Sequence, residues 1–442
     1  TPSDGPFLDD LNIREPAFLA WRDGVRADPE AVASLCRLNH SRPQGRLLPR
    51  ICALPLSVPG GEAPLRAVGD WVAEEACRMM SRSSLLAVIS HLSGRAMASR
   101  VLDIAAVRDT LDVDYLLTGT VRPSGDDLVL DLDLVDAQSG AILWNRHLVC
   151  AAARAAGAIS DWLVDVVGSV GRSIADSALR LSRTTALSDL PHHGLLIAGA
   201  AAMHRRTLRD FVRARQLLDE AVRRSPQDAQ TRAWLGKWYV LSIFKGYSAD
   251  RAEDTRRARD CTARALDIDP DSSFAMTIDG FAHGNILGDF GTAERRYAAA
   301  LEISPNESLA WLLRGSLMAF RDEGAAAIRA TETARSLSPI DPFGYYFDSL
   351  ASSAHLVAGD YQRALTLAER SMVNNDGHIS TLRTRIAALH LLDRPEDAKV
   401  AAQDLQRRFP DFSLSEYRRT HPSMGHRIGR TMVDALAASG LS

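Results

Sequence analysis

Residues 308–339, SLAWLLRGSLMAFRDEGAAAIRATETARSLSP, decide how the larger part of the chain is read. Two stretches of helical apolar spacing flank a short polar break. Trp311, Gly315, Ala327, Ala334 and Pro339 stand at fixed offsets within them. Gly315 and Ala327 let two helices of one unit approach closely, and Ala334 lets the next unit pack. Pro339 ends the second helix, because proline cannot continue it. Working outward, the framework returns. Pro226, Pro270, Pro305 and Pro410 each close an amphipathic, mostly Ala-rich pattern. Pro270 and Pro305 are 35 residues apart, Pro305 and Pro339 are 34. A helix-turn-helix unit of that period cannot bury its apolar face alone and must stack on neighbours. Other units match in part: Gly280, Ala293, Tyr297 and Ala300 in the third, Gly236, Tyr239, Ala258 and Ala265 in the second. Ala214 and Ala221 mark the first unit, Ala364 and Ala368 the fifth, and Ala398 and Ala402 the sixth. The second carries about ten extra residues around 246–253, judged against the 34-residue unit and read as a longer loop. The period predicts an all-α solenoid of about six helix pairs over 191–420, wound as a right-handed superhelix, with 421–442 as a capping segment.

Upstream the pattern changes. Residues 51–58, 85–89 and 115–121 are strand candidates. Residues 128–135 alternate, with Leu128, Leu130, Leu132 and Leu134 on one side, as a half-buried strand requires. Residues 142–149 return antiparallel to them. Helical spacing over 63–80 and 103–111 adds two helices, the second capped by Asp103, and both are expected on one face of the sheet. Residues 47–150 therefore read as a small α/β sandwich domain, 151–190 as a connecting helix and loop, and 1–46 as a lead-in with a short helix near 16–26.

Composition excludes several classes. Apolar residues make up 46% and charged residues 24%, ordinary for a globular chain, and the net charge of −3 gives no general pull toward nucleic acid. No run of 18 apolar residues suggests a membrane span. Five cysteines, Cys36, Cys52, Cys77, Cys150 and Cys261, form no C-x-x-C pair and read as small buried thiols in a reducing cytoplasm.

Two resemblances follow from these residues. Residues 195–410 look like a tetratricopeptide (TPR) array. Residues 50–146 resemble the TolB amino-terminal-like domain found in front of such arrays, through ICALPL (51–56), VDYLLTGTV (113–121) and LDLVDAQSGAILW (132–144). Residues 57–66 depart from that family's usual loop. The combination resembles bacterial signalling proteins in which both parts trail an effector. That effector is a winged-helix DNA-binding domain in CadC-like regulators, or a class III adenylate cyclase domain. FLDDLNIREPAFLAWR (7–22) is similar to the tail of a bacterial transcriptional activator domain. Because the chain opens without methionine, the effector is expected ahead of Thr1.

No Walker loop, G-x-S-x-G or H-E-x-x-H occurs. His192-His193 in a proline-bearing loop lacks further metal ligands at useful spacing. The acidic set Asp126, Asp127, Asp131, Asp133 and Asp136 reads as a solvated strand face, and the run Arg205, Arg206, Arg209, Arg213 and Arg215 as a solvated helix face. Trp234, Trp238 and Trp311 read as core. The chain is thus expected to be a non-catalytic, cytoplasmic interaction and regulatory region of a transcription regulator, without metal or cofactor. The alternative is the regulatory region of a class III adenylate cyclase, and a stand-alone enzyme is the distant alternative. A protein or peptide partner is expected in the groove of the array, at Lys237, Arg314 and Tyr345 on the first helices of their units. DNA is expected to be reached only through a preceding domain.

Overall fold

The computed structural model describes residues 15–27, 48–60, 62–83, 85–98, 103–151, 161–338 and 341–442. Cys36 and Pro339 lie outside the described residues. The first unit contributes α1 (Pro16–Arg26), with proline at its first turn and the rings of Phe18 and Trp21 5.8 Å apart.

The second unit begins with a five-stranded sheet. Its strands are β1 (Arg50–Ala53), β2 (Ala87–Val88), β3 (Tyr115–Ser124), β4 (Asp127–Asp136) and β5 (Ile142–Ala151), in the order β2-β1-β3-β4-β5. The first three run parallel, and β3, β4 and β5 form an antiparallel meander. Three helices connect the strands: α2 (Ala63–Met80), α3 (His91–Ala98) and α4 (Ile104–Leu111). Asp103 caps α4 by accepting from the Ala105 amide. The expectation that both helices cover one face needs correction. The chain steps from β1 to β2 in one direction, then back past β1 to β3. Right-handed crossovers in opposite directions fall on opposite faces. Ile51, Ala53 and Leu117 accordingly pack with α2, whereas Cys52, Leu54 and Leu116 pack with Met97 of α3 and Val107 of α4. The turn between β3 and β4 is tight, since β3 continues through Pro123, paired with Leu128.

The α2 face is closed by α5 (Asp161–Thr184). Leu163, Val166, Val167, Val170 and Ile174 of α5 are buried in the same core as Leu130, Leu132 and Leu134 of β4. That core runs on into Leu195, Ile197, Leu217 and Ala221. The span expected as a connector is therefore a shared wall between the sheet and the helical array.

Six helix pairs follow: α6 (His192–Met203) with α7 (Leu208–Arg224), α8 (Ala229–Phe244) with α9 (Arg251–Ile268), α10 (Ser273–Ala282) with α11 (Phe290–Ile303), α12 (Ser308–Phe320) with α13 (Gly324–Leu337), α14 (Gly344–Ala358) with α15 (Tyr361–Asn374), and α16 (Ile379–Leu391) with α17 (Pro395–Arg408). Together they form a tetratricopeptide-like solenoid beside the mixed sheet. Side-chain caps start many of these helices, from Thr207, Asp228, Asp250, Ser272, Asp289 and Asp360. The extra residues of the second pair lengthen its helices as well as its loop, since α9 begins at Arg251. After α10 the chain makes a π-helical turn, His283–Leu287.

The chain does not simply end after the sixth pair. Helix α18 (Leu414–Thr420), a 3-10 turn (Pro422–Gly425) and α19 (Arg427–Ala438) double back across the array. Asp322, at the end of α12, accepts the amides of Arg427 (2.7 Å) and Ile428 (2.8 Å) and so holds the start of α19. His421 meets the rings of Phe244 and Phe320, at the ends of α8 and α12.

Candidate functional site

The first and fifth pairs meet. The Asn375 side chain donates to the His204 carbonyl (3.0 Å), and Arg206 pairs with Asp376. His204 stacks on Phe343 at 3.9 Å between centroids, and its Nδ1 lies 2.7 Å from the Tyr345 hydroxyl. These contacts bend the array back on itself and leave two concavities.

The outer one is an open cleft of about 1120 Å3 between α5, the α6–α7 loop and the α13–α15 region. Its walls alternate in charge. Arg183 pairs with Asp210, Arg205 with Asp176, and both Arg335 and Arg370 with Asp348. Arg172 and Arg180 of α5 are exposed on the same wall, and Val373 is 84% exposed at the rim. The arginine run is thus not a plain solvated face. Arg205 and Arg206 tie the first pair to α5 and to the fifth pair, Arg213 donates to the Ser182 carbonyl (2.6 Å), and Arg215 lies over Trp238. The long guanidinium reaches neighbours that helical spacing does not reveal.

The inner concavity is a cavity of about 70 Å3, walled by first helices of the second to sixth pairs and by the doubled-back segment. That segment occupies part of the concave side on which the expected partner groove was placed.

Lys237 is only 3% exposed. Its ammonium sits 4.5 Å from the Trp234 ring, and burial draws its pKa down to about 8 against the pull of Asp341 and Glu307. Tyr345 is 6% exposed, and burial pushes its phenol far above the usual range. Both side chains border His204, whose imidazole burial and the nearby Lys237 hold neutral. Arg314 is engaged elsewhere, with Glu294 on α11 (2.5 Å). Tyr345 therefore forms part of the outer cleft's wall, whereas Lys237 is buried and a partner reaching it would first have to displace its neighbours.

Other sequence candidates resolve plainly. His192 starts α6, with Pro191 as its N-cap residue, rather than lying in a loop. Trp234 and Trp238 are buried, and Trp311 is half-buried, donating to the Pro305 carbonyl. Asp131 is paired with Arg122 and His147. Burial pushes the Cys52 thiol up to about 12, which leaves it unreactive. Among the described residues no cluster of His, Cys, Asp or Glu could hold a metal ion, and no helix is long and apolar enough to cross a membrane. His378, His421, Lys245 and Arg383, which line the inner cavity, gave no sequence signal, because they stand singly and far apart in the chain.

No protein-family model matches the chain. It is 24% identical over 270 residues to a putative adenylate cyclase 3 of Rhizobium meliloti, a match covering 58% of this chain. The chain spans 43% of that relative's length. Similar solved structures include a tetratricopeptide repeat protein of Parabacteroides merdae (14% identity, 62% of this chain and 94% of that one, TM-score 0.35). A thermophilic TPR protein of Thermus thermophilus matches at 17% identity, over 46% of this chain and 98% of that one, with a TM-score of 0.34. PilF of Pseudomonas aeruginosa matches at 15% identity, over 55% and 95%, with a TM-score of 0.33.

Proposed function

We propose that this chain is the partner-binding, regulatory region of a bacterial signalling protein, and that the partner docks in the outer cleft. The observation that carries this reading is the cleft itself. At about 1120 Å3 it lies above the roughly 300–1000 Å3 of small-molecule pockets and suits a protein segment of mixed charge. Paired arginines and aspartates on its wall offer directional contacts, and an exposed rim side chain, Val373, offers an apolar anchor. Because α5 belongs to the sheet's core and also lines the cleft, a bound partner touches both halves of the molecule at once. The TolB-like reading of the sheet domain belongs to this proposal and rests on the quoted motifs.

For the effector, the similarity to a protein named as an adenylate cyclase favours the cyclase reading. The transcription-regulator reading rests on residues 7–22, of which 7–14 lie outside the described residues. The test is an assay of the intact gene product for cyclic AMP formation from ATP and for promoter binding, beside its Arg180→Glu variant. Arg180 is exposed on the cleft wall, so the variant should melt as the parent does. Altered cyclase output supports the reading, and altered promoter binding without cyclase activity moves it to the transcription regulator. Unchanged output in both assays overturns the cleft as the regulatory surface.

A further inference from the structure

The inner cavity has an unusual charge balance. Lys245, at the end of α8, and Arg383, on α16, both line it, and among the described residues neither an aspartate nor a glutamate does. Other arginines of this array are matched to carboxylates, as Arg335 and Arg370 are to Asp348. Here the partners are neutral. The Lys245 ammonium donates to the Met203 carbonyl (3.1 Å) and lies 5.1 Å from the Phe211 ring. The Arg383 guanidinium donates to the Ser380 hydroxyl (3.0 Å) and stacks 4.5 Å from the Tyr417 ring. Removing two cations from water without a counter-charge costs more than such contacts return. Burial, helped by both cations, holds the His378 imidazole neutral, with its pKa down to about 3. A neutral imidazole keeps an N–H that can donate to an anion.

The rest of the wall is largely apolar, with Leu350 and Ile428 among its side chains. The cavity of about 70 Å3 is roughly half the ~150 Å3 cavity that accommodates benzene. That size admits a small anion with a short hydrocarbon tail and excludes a peptide. We infer that the inner cavity is a binding site for a short-chain organic carboxylate, with its carboxylate between Lys245 and Arg383 and its tail among the apolar side chains. A carboxylate matches the flat fork of a guanidinium and supplies the missing charge. Since the walls come from α8, α16 and the doubled-back segment, the ligand would join the second pair, the sixth pair and the tail. This site is independent of the effector's identity and of the outer cleft.

The test uses the whole chain and sodium propionate as the probe, followed by thermal melting and calorimetric titration. Sodium chloride and inorganic phosphate at equal ionic strength are the comparisons. The expected result is a melting temperature that climbs with the logarithm of propionate concentration and stays level with the other salts. Arg383→Met and Lys245→Gln should each lose the response while melting no lower than the parent without ligand, because an uncompensated charge has gone. Lys245→Gln, at a helix end, carries the test if Arg383→Met does not fold. No response to propionate overturns the proposal, as does an equal response to phosphate or chloride, or a full response in folded Lys245→Gln.

Discussion

His204 shows how much one side chain can hold. It stacks on Phe343, meets the Tyr345 hydroxyl and offers its carbonyl to Asn375, so the seam between the first and fifth pairs runs through it. Burial, with Lys237, Lys245 and His378 nearby, keeps its pKa well below 6.5. Below that pH the unfolded chain takes up a proton that the folded chain refuses. The stabilisation is therefore complete above pH 6.5 and is lost as the pH falls, by about 1.4 kcal/mol per unit for each such histidine. His378 and His421, also held neutral, act in the same direction. Melting temperatures of the parent and of His204→Gln, compared between pH 7 and about pH 5, should show a shallower fall in the variant. Parallel curves would mean that His204 is protonated without penalty. None of this was visible in the sequence, where His204 is one isolated histidine among twelve.

The pairing of helices was more legible. Gly315, singled out by its offset from Ala327 and Ala334, lies where a Cβ would come 2.8 Å from the Thr331 methyl and 3.1 Å from the Ala327 carbonyl. Gly315→Leu should therefore cost roughly 1–3 kcal/mol by overpacking. Arg329→Leu, on the exposed side of α13, should stay within about 0.5 kcal/mol. Thermal melts separate the two, and equal melting temperatures would contradict the helical register. The turns inside the pairs follow a rule that the proline framework did not express. Gly288, Asp322, Gly359 and Asp393 all adopt positive φ after the first helix of a pair. Glycine takes that conformation freely, and aspartate tolerates it better than most residues. Asp322 then uses its carboxylate to cap α19, a contact spanning more than a hundred residues that no local pattern encodes.

At the scale of the molecule, the sheet and the array share a core. Leu134 of β4, Ile174 of α5 and Leu195 of α6 belong to one buried cluster. Residues 48–442 should therefore unfold together, because separating the sheet from the first pair would expose that shared surface. Calorimetry should give one dominant transition for this span. Two well-separated transitions, one for the sheet and one for the helices, would show that α5 is a hinge rather than a wall.

Periodicity identified the strands, most of the helices and their pairing into hairpins, but it left out α3 (His91–Ala98). Alternating leucines mark β4, helical spacing marks α2, and the recurring Ala, Gly and Pro residues mark the six pairs, because each of these signals lies within a few turns of chain. Three features needed the folded chain. They are the placement of α3 and α4 across the sheet from α2, the closure of the fifth pair onto the first, and the return of the carboxy-terminal segment over the inner wall. Each depends on where remote segments meet. The charge balance of both concavities depends on it too, since Lys245, Arg383 and His421 share a wall only after α8, α16 and the tail have packed. A sequence records which side chains are available, and the tertiary contacts decide which of them lose water and find, or fail to find, a counter-charge.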